Sequence, residues 1–203
     1  MMKRIYFDFV IDVTESAAVN LPAVHLFCDD LIRKGFQDIL QKFYYGITVF
    51  YGKKKPARIC RFEGKIFTDH LYEFHRVFEE IESGYGSMDG IDDITGGIKC
   101  SAEKFRDKDG LKIMLVFSDS YVKKDGLKDI GIVPAQKIYL YLASKEELGD
   151  VEMTPFWGIP MMNGRNRVDH RLSPTLHRLS DIFDVQKREE RMEEIIADIV
   201  EAM

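Results

Sequence analysis

Ile5-Tyr6-Phe7-Asp8-Phe9-Val10-Ile11 runs directly into Asp12-Val13-Thr14-Glu15-Ser16. The first stretch is an apolar run with one aspartate inside it, and residues 3–11 read as a strand. At its end a carboxylate and two hydroxyls, Asp12, Thr14 and Ser16, appear at alternating positions. In an open α/β sheet, ligands bind outside the carboxyl ends of the strands, where strand order reverses. Oxygen-only ligands suit a hard cation such as Mg2+ or Mn2+. The same residues are also what an N-cap cluster needs, since Asp, Ser and Thr satisfy the free N–H groups of a helix start.

A second strand supplies a partner. Lys112-Ile113-Met114-Leu115-Val116-Phe117 is nearly continuous in apolar residues, as expected of a strand covered on both faces. It ends in Ser118-Asp119-Ser120, so two buried strands each deliver an aspartate at the C-terminal tip. Ser118 and Ser120 fit loop hydrogen bonding. Between the two strands lies Asp89-Gly90-Ile91-Asp92-Asp93-Ile94-Thr95-Gly96-Gly97-Ile98, an acidic, glycine-rich loop that opens a helix.

Taken in order, Asp12-x-Thr14-x-Ser16, the loop before Gly96-Gly97-Ile98, and Asp119 after an apolar strand resemble the metal-ion-dependent adhesion site of von Willebrand factor A (vWA) domains. That family's usual pattern is Asp-x-Ser-x-Ser, then a Thr in a middle loop, then an Asp after the fourth strand. The order of elements matches over nearly the whole chain. Thr14 replaces the more usual Ser and keeps the hydroxyl. Counting back from Gly97-Ile98, the Thr slot falls on Asp92; a carboxylate there implies firmer metal retention and weaker attraction for an acidic ligand. Asp93 reads as a helix cap or a group behind the ligands. The resemblance implies a non-catalytic protein-binding or scaffold module. A divalent cation, Mg2+ or else Mn2+ or Ca2+, would be held by Asp12, Thr14, Ser16, Asp92 and Asp119. A protein partner would present an Asp or Glu to it. Intracellular bacterial members of the family often serve as scaffolds in stress or signalling assemblies.

Two other readings start from the same residues. A Mg2+-dependent phosphohydrolase of the haloacid dehalogenase type also places an aspartate after its first strand and a hydroxyl, here Ser118, after a later one. Its signature needs Asp-x-Asp-x-Thr, and Thr14 occupies the position of the second, acid/base aspartate. The other is a vWA fold with a vestigial metal site, its contacts made through the surface around Trp157 in segment 155–162, with Arg165, Arg167 and Arg171 close behind. Trp157, Met161 and Met162 equally suit a segment that covers the sheet edge.

The bulk numbers narrow the class. A length of 203 residues suits one α/β domain, and 45% hydrophobic with 12% aromatic residues is enough for a core. Twenty-nine basic against 34 acidic side chains give a net charge of -5, which argues against a nucleic-acid binder. No window approaches the ~20 apolar residues of a membrane span. Met1-Met2-Lys3-Arg4 leads into a strand rather than a signal peptide, and Cys28, Cys60 and Cys100 form no CxxC. A cytoplasmic location with reduced cysteines is the expectation.

Helical spacing of Val24, Phe27, Cys28, Leu31 and Ile32 predicts a helix over 21–42, with Asn20 as N-cap. The runs 44–51 and 57–62, joined by Gly52-Lys53-Lys54-Lys55-Pro56, predict an antiparallel hairpin with a solvated lysine tip. Thr68 is placed as the cap of a helix carrying Leu71, Phe74, Phe78 and Ile81, and 93–106 as the next helix. Strands follow at 112–118 and 137–143, then a final helix at 185–202. The five histidines have no metal-motif spacing. This alternation predicts a doubly wound, mostly parallel sheet with one antiparallel edge strand and helices on both faces.

Overall fold

A computed structural model describes residues 4–38, 41–52, 55–82, 93–120, 135, 137–142, 156–157, 171–172 and 175–202. Strand β1 (Arg4–Asp12) is buried from Ile5 onward and sits inside the sheet. Its alternation splits two cores. Ile5, Phe7, Phe9, Ile11 and Val13 point to one side, with Phe27 and Leu31 of α1 (Leu21–Asp38), Phe74 and Phe78 of α2 (Leu71–Glu79), and Ile195 and Ile199 of α4 (Val185–Glu201). Tyr6 and Val10 point to the other, with Ile98 and Phe105 of α3 (Ile94–Phe105).

The six-stranded sheet runs β3-β2-β1-β4-β5-β8. Strands β2 (Lys42–Phe50), β4 (Leu111–Ser118), β5 (Lys137–Leu142) and β8 (Thr175–Arg178) join β1 in parallel, and β3 (Arg58–Ile59) is antiparallel at one edge. This is the expected doubly wound mixed sheet. The chain leaves β1 for β2 on one side and returns to β4 on the other, so strand order reverses at β1/β4, the crevice where ligands bind in such sheets. A separate pair, β6 (Phe156–Trp157) with β7 (Arg171–Leu172), is antiparallel.

Several boundaries differ from those predicted. The first helix ends at Asp38, not at residue 42, because Lys42 is already paired with Arg4 of β1. Asn20 does not cap it; it closes a one-turn 3-10 helix, Ala17–Asn20. Thr68 is two residues ahead of His70, the α2 N-cap; its hydroxyl accepts from the His70 N–H at 3.1 Å and donates to Glu73. The predicted second hairpin strand shrinks to Arg58–Ile59, and the chain then folds over a two-residue turn at Glu63-Gly64. Both turn residues have positive φ (49° and 87°), the mirror-image geometry that fits strand twist and that glycine adopts without strain.

Candidate functional site

Asp12 is the last residue of β1, and its carboxylate is almost sealed from solvent. Oδ1 accepts from the Thr14 N–H at 3.0 Å, an Asx-type turn, and from the Thr14 hydroxyl at 2.7 Å. Oδ2 accepts from the Ser118 hydroxyl at the end of β4, at 2.7 Å. The Ser16 Oγ stands 3.3 Å from the Thr14 Oγ1. Ser118 in turn accepts from the Ser120 N–H at 3.1 Å, the loop hydrogen bonding expected of those serines. A hydroxyl that gives its proton to a carboxylate turns its lone pairs outward, so Thr14 and Ser118 are primed as acceptors.

Asp119 follows on the same loop. Its Oδ1 is buried and has no hydrogen-bond partner among the described residues. Asp12, Ser118 and Asp119 line one small cleft, together with Ala17, Asn20 and Leu21 from the start of the first helical segment. A buried carboxylate oxygen left unpaired is costly and asks for a ligand. Four of the five predicted ligands thus fall in one region: Asp12, Thr14 and Ser16 in one hydrogen-bonded row and Asp119 in the cleft beside Asp12. The fifth, Asp92, lies outside the described residues, as do Pro155, Gly158 to Met162, Arg165, Arg167, Lys53 and Lys54. Oxygen-only donors fit a hard cation, so the residues present fit the group the sequence implies. Among the described residues no three of His, Cys, Asp and Glu form a metal cage. Two carboxylates helped by two hydroxyls are a different donor set.

The start of α3 is tied to the ends of the neighbouring strands. Asp93 is its N-cap, accepting from the Gly96 N–H at 2.9 Å, and its own N–H donates to the Tyr51 carbonyl at 2.9 Å. The cap role expected of Asp93 therefore holds. Gly96 permits it, since a Cβ there would stand 2.1 Å from the Asp93 Oδ2. The Val13 N–H donates to the Phe50 carbonyl at 3.1 Å, and Phe50 pairs with Asp12. So the α3 start, the β2 end and the β1 end are tied together.

Two polar clusters escaped the sequence reasoning. Asp8, in the middle of β1, forms an ion pair with Lys104 of α3 at 2.5 Å, with both side chains at 0% exposure. An aspartate inside an apolar strand is the one signal that could have found it. His25 of α1 and His75 of α2 meet at 2.9 Å, and the His75 Nε2 lies 3.0 Å from Asp29. Fifty residues separate the two rings in sequence, and no spacing rule reaches that far.

No family model matches the sequence, and no curated protein matches it. Solved structures do. A D319A mutant of the PilB minor pilin from Streptococcus sanguinis superposes with a TM-score of 0.67 at 8% identity, over 98% of this chain and 62% of that one. A von Willebrand factor type A protein from Catenulispora acidiphila gives 0.56 at 9%, over 97% and 42%. The SpRpn10 VWA domain gives 0.52 at 11%, over 90% and 94%. The fold is therefore vWA-like, a Rossmann-type α/β sheet. The chain spans 62% or less of the pilin and Catenulispora chains. Among the described residues no helix is long and apolar enough to cross a membrane.

Proposed function

We propose that this chain is a non-catalytic protein-binding module, cytoplasmic in location, that engages its partner through a divalent cation, with Mg2+ first and Mn2+ or Ca2+ as substitutes. Asp12, Thr14, Ser16 and Asp119 would hold the ion, with Asp92 as a fifth ligand. The observation that carries the reading is the buried Asp119 Oδ1, which has no hydrogen-bond partner among the described residues, in the cleft that Asp12 lines. A bound cation would supply the positive charge that attracts an Asp or Glu of the partner. The chain's own residues do the rest. Asp12 orients the Thr14 and Ser118 hydroxyls, and Asp93 fixes the adjoining helix start. The vWA-like fold supports an interaction module over an enzyme, as does Thr14 in place of an acid/base aspartate.

Calorimetry with Mg2+ and Mn2+ on the wild type and on Asp12→Ala and Asp119→Ala tests the reading. Binding by the wild type that is lost in both variants is the expected result. Equal binding by all three proteins would remove the site from this cleft. In the same series Asp92→Thr should bind the cation more weakly, because one charged ligand is replaced by a neutral hydroxyl; unchanged affinity would make Asp92 a helix-start residue only.

A further inference from the structure

The inner face of α3 is short of apolar side chains. It buries Ile94, Gly97, Ile98, Ser101, Lys104 and Phe105, so only three large apolar groups face the sheet. Apolar packing carries no direction of its own. Lys104 supplies the direction. Its Nζ donates to Asp8 Oδ1 at 2.5 Å and to the Ile47 carbonyl at 3.3 Å, with the Thr48 hydroxyl at 3.5 Å. Thr48 donates to the other Asp8 oxygen at 2.8 Å. The Phe67 ring covers the ammonium, 4.9 Å from its centroid. Room for the group exists because residue 46 is glycine: a Cβ there would lie 2.5 Å from the Nζ and 2.8 Å from the Asp8 Oδ1.

This pair lies on the sheet face and the strand that lead to the candidate site. Asp8 and Asp12 are four residues apart on β1, about 13 Å at the usual strand rise. Ile94 and Lys104 are ten apart on α3, about 15 Å at the helical rise. The helix therefore runs alongside β1 between two anchors: Lys104 on Asp8 at one end, and Asp93 on Tyr51 at the other. At the second anchor the contact is close, since a Cβ on Gly97 would meet the Phe50 ring at 2.7 Å.

We infer that Asp8, Thr48 and Lys104 are positioning residues for the candidate metal site: their buried contacts fix where the first turn of α3, Asp93 to Gly97, stands beside the end of β1. This rests on the metal-binding reading above. The clamp acts through the helix and touches no ligand of the ion.

The decisive variant is Asp8→Leu/Lys104→Met in the full chain. Replacing both members of a buried ion pair by apolar side chains is often neutral or stabilising, so the fold should survive. Three measurements follow: urea unfolding, calorimetry with Mn2+, and amide exchange at Gly96 and Gly97. The expected result is near wild-type stability, weaker Mn2+ binding than in the wild type, and faster exchange at both glycines. A folded double variant that binds Mn2+ like the wild type and keeps its exchange rates would overturn the inference. If the double variant does not fold, Thr48→Val tests the same point by removing the hydroxyl alone. It should accelerate exchange and weaken Mn2+ binding to a smaller degree, and no change in either sinks the proposal. A wild type that binds neither cation defeats the metal reading instead, and the exchange arm still decides the clamp.

Discussion

On the α3 side of the sheet, Asp8 and Lys104 meet with no exposed surface at all, while on the α1/α2 side His25 and His75 meet with His75 a quarter exposed. The first cluster is charged, saturated and locked: each Asp8 oxygen has a donor, and the ammonium has three oxygen partners. The second is open to protons. His25 stacks on Phe78 at 4.2 Å and faces His75 and Asp29, while Arg33 holds Asp29 from outside at 2.8 and 3.0 Å. Both clusters join a helix to its neighbour, but only the second is built of histidine, the side chain whose charge changes near neutral pH. The fold is fixed at the first cluster and responds at the second. The helix beside the candidate site is held by a pair that water does not reach. The helix on the opposite face is held by rings that water does reach.

Removing one member of the sealed pair should have the largest effect. Lys104→Met leaves the Asp8 carboxylate buried without its cation. Breaking a buried pair from one side costs about 3–5 kcal/mol, because the remaining charge is uncompensated. Urea unfolding at pH 7 should show this loss. A loss below about 1 kcal/mol, the scale of exposed pairs, would mean that water reaches Asp8 and that the two faces are alike.

A smaller effect is expected from protons on the other face. Burial first, and then the neighbouring His75, hold the His25 pKa below its ordinary 6.5, against weaker pulls from Asp29 and Glu79. The unfolded chain therefore takes up the His25 proton more readily than the folded one. Stability from this group is complete above pH 6.5 and is lost as the pH falls through the depressed folded value. The urea midpoint should decline over that window, and His25→Phe, which keeps the ring stack, should flatten the decline. An equally steep decline in the variant would place the acid response elsewhere, among the carboxylates.

Much of this architecture could be read from the chain. β1, β4, β5, α3 and α4 fall within one or two residues of their predicted places, because long apolar runs and helical periodicity are local signals. The aspartates at 12 and 119 could be placed at strand ends for the same reason. What could not be read depends on pairing. Lys42 looked like the end of a helix until Arg4 became its neighbour, and Glu63-Gly64 gives no sign of a turn until Phe62 and Lys65 face each other. The partner of Asp8 is 96 residues away, and that of His25 is 50. Ser118 was visible beside Asp119, but its bond to Asp12 spans 106 residues. Distances of that kind are fixed by the sheet, and no window along the sequence contains them.

The smallest effect should come from Arg33, whose side chain is 58% exposed beside Asp29. An exposed i,i+4 ion pair contributes under about 1 kcal/mol, and salt screens it. Arg33→Gln should therefore barely move the urea midpoint at pH 7, and less still in high salt. Its value lies in the acid limb. Arg33 neutralises part of the Asp29 charge that would otherwise attract a proton to His25. With Arg33 gone, the folded state accepts that proton more easily, and the loss of stability below pH 6.5 should become shallower than in the wild type. Urea midpoints taken from pH 7.5 down to about pH 5, where an unperturbed histidine is almost fully charged, would show the two curves converging at the acid end. Parallel curves would mean that His25 does not feel Asp29, and that its place is held by packing on Phe78 alone.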